Sequence, residues 1–381
     1  MFDSLVNLVR EQFGQDGTIG LHEPSFGQAE RQALLDVMES GMVSSVGQCV
    51  NEFERLTADY TGVAHAIATV NGTSALHVSL LVAGAQDKDL VLTQSLTFVA
   101  TCNAIAYCGA DPLFVDVEQQ TLGMCPQALQ ELLSRQTEQG DDGQCWHRES
   151  GRRIVACMPM HTFGNPASIL EICEICRRYG ITVIEDSAEA LGSSLANRHC
   201  GTFGALGVLS FNGNKILTTG GGGMVLVNDD VLADRIRHLT TTARVVESYR
   251  WSHDEVAYNY RLPNLNAALG VAQFARLPEA LQAKRKLAER YRQWSEEHGR
   301  QMVSGRADSE ANHWLNALIC EDREERDALL RFTGERGIAT RPVWVPMHQL
   351  PMYESCYRGP LDVTEWAADH VINLPSSVPH E

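Results

Sequence analysis

No run of apolar residues in this 381-residue chain reaches the ~18 that a membrane-spanning helix needs. Nor is a cleavable leader expected from the first residues. The start, MFDSLVNLVREQFGQDG, is amphipathic, and Arg10 follows its apolar residues instead of preceding them. Basic residues are scarce: 31 Lys and Arg stand against 48 Asp and Glu. The resulting net charge of −17 argues against a broad basic face that would grip a nucleic-acid backbone. The 11 cysteines are odd in number and scattered from Cys49 to Cys356, a pattern of reduced thiols and not of a disulfide framework. The lone CxxC, Cys173 to Cys176, falls inside the helical pattern ILEICEICRRYG, where packing accounts for it. Without a second pair, and with no HxxxH spacing among the 13 His, no metal site is expected. Repeats and low-complexity runs are absent. These gaps leave a cytoplasmic globular protein with neither membrane nor nucleic acid as partner. A small anion remains possible, because backbone N–H groups and one or two cations suffice to hold it.

What is present builds a sizeable core, since 44% of the residues are hydrophobic and 21% charged. The length suits two packed domains, or one large α/β domain with a smaller companion. Apolar, β-branched strands are predicted at 66–70, 89–93, 112–117, 154–160, 181–186, 208–212 and 223–228. Helical patterns precede them at 29–40 and 50–60. Others lie between them, starting at Ser74, Phe98, Pro126 and about Ala167. That alternation indicates a parallel sheet covered on both faces, with ligands outside the carboxyl ends of its strands. Residues 137–153, polar and Gly-rich, read as a surface insertion. A long helical stretch, 264 to about 298, should kink or break at Pro278; a strand at 313–320 and a helix at 323–336 follow. The expected division is a large domain over 1–255, with its N-terminal helices, and a smaller α+β domain over 256–381.

Four features fall at the carboxyl ends of predicted strands. Asn71-Gly72-Thr73-Ser74 opens a helix, either as an ordinary N-cap or as an anion cradle. Glu185-Asp186 ends ITVIED, where a carboxylate either caps the next segment or points into the crevice. Ser210-Phe211-Asn212-Gly213-Asn214-Lys215 delivers one lysine on a tight turn, and Gly220 to Gly223 follow it. These glycines precede a strand instead of joining a strand to a helix, which excludes a dinucleotide fingerprint. An anion cradle, an acidic residue, then a lysine with a serine five positions before it is what pyridoxal 5'-phosphate (PLP) requires. The cradle takes the phosphate, the carboxylate keeps the pyridine nitrogen protonated, and the lysine forms a Schiff base and shuttles the proton.

On these segments the chain resembles the DegT/StrS family of PLP-dependent nucleotide-sugar aminotransferases, from about Gly20 to Pro375. The matching stretches include SGMVSSVGQCVNEFE, NGTSALHVSLL, HTFGNP, VIEDSAEALGS, VLSFNGNKILTTGGGGMVLVND and YNYRLPNLNAALG. The resemblance implies fold type I of the PLP-dependent transferases, the aspartate-aminotransferase-like α/β fold with a mostly parallel seven-stranded sheet and a smaller C-terminal domain. It also implies a homodimer with shared active sites, glutamate as amino donor and a nucleotide-linked sugar as acceptor. By that resemblance Lys215 carries the Schiff base and Asp186 pairs with the pyridine nitrogen. Gly72, Thr73, Ser74 and Ser210 surround the phosphate, and Phe98 stacks on the ring. Asn259 reaches the phosphate from the partner subunit, with Arg261 beside it near the substrate. His348 falls where the family lines the mouth for the sugar nucleotide. Glu189 stands where many members carry Gln or His near the ring hydroxyl, and Met42 replaces a frequent Trp. Each residue also has a plainer explanation: Phe98 as a core aromatic, His161 as a satisfied structural histidine, Asn259 and Arg261 as locally paired loop residues.

The SFNGNK turn and the 137–153 insertion point to the branch that aminates C4 of UDP-4-keto-6-deoxy-N-acetylglucosamine. GDP-4-keto-6-deoxymannose and dTDP-linked 3-keto sugars are the alternative acceptors. A PLP sugar dehydratase would carry His in place of Lys215. Another PLP chemistry, such as cysteine desulfurisation, would show in its response to L-cysteine. A non-catalytic sensor would need an attached binding module, and none is visible.

Overall fold

A computed structural model describes residues 2–141, 143–246 and 249–379. Seven strands form the main path of the principal sheet: β1 (His65–Thr69), β2 (Leu90–Gln94), β3 (Asp111–Val115), β4 (Arg152–Met158), β5 (Thr182–Asp186), β6 (Leu206–Ser210) and β7 (Gly223–Val227). Their order is β1-β7-β6-β5-β4-β2-β3. The pairs among β2, β3, β4, β5 and β6 are parallel, and β7 alone runs antiparallel to both neighbours. Two further short strands, a hairpin attached to the start of β4, bring the sheet to nine, and its seven-strand path matches the mostly parallel sheet that the family resemblance implies.

Every residue of β2 is buried, as a strand covered on both faces must be. Val91 joins one core, with Ala75, Val78, Ile105 and Ile236 from the helices Gly72–Val82, Val99–Tyr107 and Asp230–Thr240. Its neighbours Leu90 and Leu92 join the other, with Leu129, Leu133, Ile172 and Cys176 from Pro126–Gln136 and Ile169–Arg178. The period-2 alternation of a strand is what splits them. Cys173 and Cys176 are free and pack into this second core. The 137–153 insertion folds into a hairpin, Thr137–Gln139 with Cys145–His147, whose second strand pairs antiparallel with the start of β4.

The long helical stretch divides where Pro278 predicts, into Asn264–Phe274 and Leu277–Glu297. Proline sits in the first turn of the second helix, where a missing N–H breaks no bond. Beyond it, β8 (Gln301–Met302), β9 (Asn316–Ile319), β10 (Arg341–Pro342) and β11 (Val371–Leu374) form an antiparallel sheet in the order β8-β9-β11-β10. The two ends of the chain share its core. Leu5 and Val9 of the helix Phe2–Phe13 pack with Leu287, Tyr291, Ile372 and Leu374. Helix Asn264–Phe274 instead packs its Ala267 and Phe274 against Phe53 and Phe211 beside the principal sheet. Among the described residues no helix is long and apolar enough to cross a membrane.

Candidate active site

A cavity of about 660 Å³ opens at the carboxyl ends of β1, β5 and β6, between the principal sheet and the C-terminal sheet. Gly72 and Thr73 line it at the start of a helix, where the first N–H groups have no intrahelical acceptor. Asn71 Oδ1 accepts the Ser74 N–H at 2.8 Å, so this turn is capped and still presents its first residues to the cavity. Ser74 is buried and does not line it. A β-carbon added to Gly72 would stand 3.1 Å from that of Ser210, so a side chain there would require Ser210 to shift by a few tenths of an ångström. At Gly223 the same addition would fall 2.4 Å from the Asn71 carbonyl oxygen, which explains the glycine that follows the lysine turn.

Alternation along β5 separates the two carboxylates that end it. Glu185 turns away from the cavity. It accepts from the N–H groups of Gly201, Phe203 and Gly204 and lies 3.0 Å from His161 Nε2. His161 Nδ1 accepts from the Ala167 N–H, so this histidine is a satisfied structural residue. Asp186 faces the cavity. Thr101 Oγ1 donates to its Oδ2 at 2.7 Å, and the Ala188 N–H donates to its Oδ1 at 3.2 Å. Burial pushes the Asp186 carboxyl up, against those two bonds and the charge of Lys215.

The lysine turn is closed by the Lys215 N–H on the Asn212 carbonyl. Lys215 Nζ donates to Glu189 Oε1 at 3.3 Å and lies 4.1 Å from the centre of the Trp314 ring. Glu189 Oε2 accepts from the Phe163 N–H at 2.9 Å. Burial drives the Glu189 carboxyl up to about 7, although Lys215 and the Phe163 N–H pull the other way. Phe98 is half-exposed, on the cavity wall, and so is not a core aromatic.

Three expected residues stand apart. Asn259 is exposed, its backbone bridged to Thr241. Arg261 pairs with Glu54 at 2.8 Å and lines a different groove of about 730 Å³, which also contains Met42. His348 is buried outside the cavity, its Nδ1 2.8 Å from Ser95 Oγ and its Nε2 3.4 Å from Glu365. Other lining residues escaped the reading of the sequence: His22, Trp314, Arg341 and Asn373. Trp314 sits in an ordinary apolar strand pattern, and nothing local marks it. Its indole N–H donates to the Asn214 carbonyl at 2.7 Å and so pins the lysine turn.

The donor set fits PLP. A helix start with a serine hydroxyl nearby suits its phosphate, a buried carboxylate with both oxygens oriented suits its ring nitrogen, and a lysine beside them suits its aldehyde. Comparison with known proteins agrees. Residues 24–380 match the DegT/DnrJ/EryC1/StrS aminotransferase family. The chain is 36% identical over 363 residues to a GDP-perosamine synthase of Vibrio cholerae, covering 94% of each. It is 34% identical over 361 residues to the enzyme of that name from Escherichia coli O157:H7, covering 94% of this chain and 93% of the other. Among solved structures it superposes on the aminotransferase TlmJ from Streptoalloteichus hindustanus with a TM-score of 0.85, at 30% identity over 94% of each chain. The chain belongs to the DegT/DnrJ/EryC1/StrS aminotransferase family and is a PLP-dependent sugar aminotransferase.

Proposed function

We propose that the enzyme moves the amino group of glutamate to the C4 ketone of a GDP-linked 4-keto-6-deoxy sugar. What carries the chemistry is the meeting of Lys215, Asp186 and Glu189 in one cavity. The nucleotide rests on similarity to two GDP-perosamine synthases over 94% of this chain. A UDP-linked N-acetylhexosamine is the second reading, favoured by the SFNGNK turn. The 137–153 insertion lends it no support, because none of its described residues lines the cavity.

When bound, PLP supplies an electron sink for the carbon that exchanges its proton. In this reading Asp186 holds the proton on the ring nitrogen, with Thr101 and Ala188 fixing its oxygens. Lys215 Nζ moves the proton at the reacting carbon, and Glu189 Oε1 aligns the ammonium. Gly72, Thr73 and Ser210 receive the phosphate, and Phe98 covers the ring. The active unit is a homodimer in which Asn259 serves the partner's site. Mass spectrometry of the purified enzyme with glutamate and a panel of nucleotide-linked 3-keto and 4-keto sugars tests the reading. A GDP-linked 4-amino product is expected; preference for a UDP-linked or dTDP-linked acceptor overturns the nucleotide assignment.

A further inference from the structure

Three buried polar atoms around the Lys215 cavity have no hydrogen-bond partner among the described residues: Nδ1 and Nε2 of His22, and Oδ1 of Asn373. Both residues line the cavity. Leaving a buried donor or acceptor unmade costs on the order of 1–3 kcal/mol, so such atoms call for an explanation. Arg341 lines the same wall. It stands directly opposite Asn373 in the β10–β11 register, where side chains of an antiparallel pair share a face.

These groups are held firmly. The segment carrying His22 is tied on both sides. Ile19 exchanges backbone bonds with Gly337 and Ala339, Ser376 N–H donates to the Leu21 carbonyl, and Glu23 N–H donates to Ser377 Oγ. His22 packs 6.3 Å from Trp314, ring centre to ring centre. Burial, with the charges of Lys284 and Lys215, keeps the His22 imidazole neutral, so that one nitrogen donates and the other accepts. With the amide of Asn373, which carries a carbonyl acceptor and two N–H donors, this wall combines donors and acceptors on a rigid frame, with a cation alongside. That is the complement of neighbouring hydroxyls next to an anionic group.

We infer that His22 and Asn373 form the subsite for the hydroxyl groups of the acceptor sugar, with Arg341 placed for its phosphate. The inference rests on the proposed function and names residues for its second half. Transamination proceeds through two separable half-reactions, so the test follows each one in the holoenzyme by absorbance. His22→Ala and Asn373→Ala should leave the glutamate half-reaction within about twofold. Each should weaken the sugar half-reaction at least tenfold, through the concentration of sugar nucleotide needed. Isothermal titration of the GDP-linked amino-sugar product into the cofactor-free chain should show the same loss. His22→Asn, which keeps a donor and an acceptor, should recover part of it, and thermal melts verify that the variants fold. Unchanged product binding in both alanine variants, or equal damage to both half-reactions, overturns the subsite alone. If the parent consumes glutamate and converts no nucleotide-linked keto sugar, the functional reading falls and takes the subsite with it.

Discussion

Lys215 and Trp314 meet charge to face, the ammonium nitrogen 4.1 Å from the centre of the indole ring. A cation over a tryptophan face gains roughly 0.5–2 kcal/mol, depending on how far it is desolvated. The same indole grips the lysine turn through the Asn214 carbonyl. Trp314→Leu removes both contacts and should lower kcat about tenfold, roughly 1.4 kcal/mol of barrier. The KM for glutamate should change little, and the cofactor-free chain should capture PLP more slowly. Trp314→Phe, which keeps a ring face, should fall between. A Leu variant with parental kcat and parental capture rate would show that the contact positions nothing.

Asp186 is fully enclosed, yet both its oxygens are oriented by Thr101 and Ala188. Asp186→Asn keeps the shape and loses the charge that holds a ring proton. The expected result is a folded protein with turnover reduced by several orders of magnitude. Steady-state rates at saturating glutamate measure it, and a loss below about tenfold, ~1.4 kcal/mol, counts against the role.

The Glu189 carboxyl is pushed from its ordinary 4.5 to about 7 by burial. Between those values the folded chain keeps a proton that the unfolded chain has released. The associated stability is complete below 4.5 and is lost as pH rises through 7. Glu189→Gln stays neutral throughout. In cofactor-free protein its melting temperature, relative to the parent, should therefore climb between pH 4.5 and 8. Calorimetry at a series of pH values provides the check, and a flat difference would contradict the assigned shift.

Asn259 is exposed and away from the Lys215 cavity, and in the proposed homodimer it serves the partner's site. Lys215→Ala and a strongly impaired Asn259 variant should each be nearly inactive as homodimers. The Lys215→Ala protein should also lack the protein-linked cofactor absorbance. After subunit exchange, one site of each heterodimer regains an intact Lys215 and the partner's intact Asn259, so activity should rise well above either parent. Verified heterodimers without that gain would place the whole site within one chain.

Features set by short-range chemistry were legible in the sequence. Strand and helix periods gave the parallel sheet, and Pro278 marked the break between two helices because a proline fits only the first turn. Asp186 could be read at a strand end, and Lys215 on its glycine-flanked turn, from a few neighbouring residues each. The second wall of the cavity has no such local code. Trp314 reaches Asn214 across 100 residues, and the strap bearing His22 is tied to residues near 337 and 376. His348 follows the same logic in reverse. Its motif faces the mouth by resemblance, but Ser95, 253 residues away, draws the ring into a buried hydrogen bond. Periodicity tells which face of a strand or helix is apolar. Which remote segment then packs on that face, and so which polar side chain is left pointing into the cavity, was decided only by tertiary packing: one core joins the C-terminal sheet to both chain ends, and another joins that sheet to the loops beyond the principal strands.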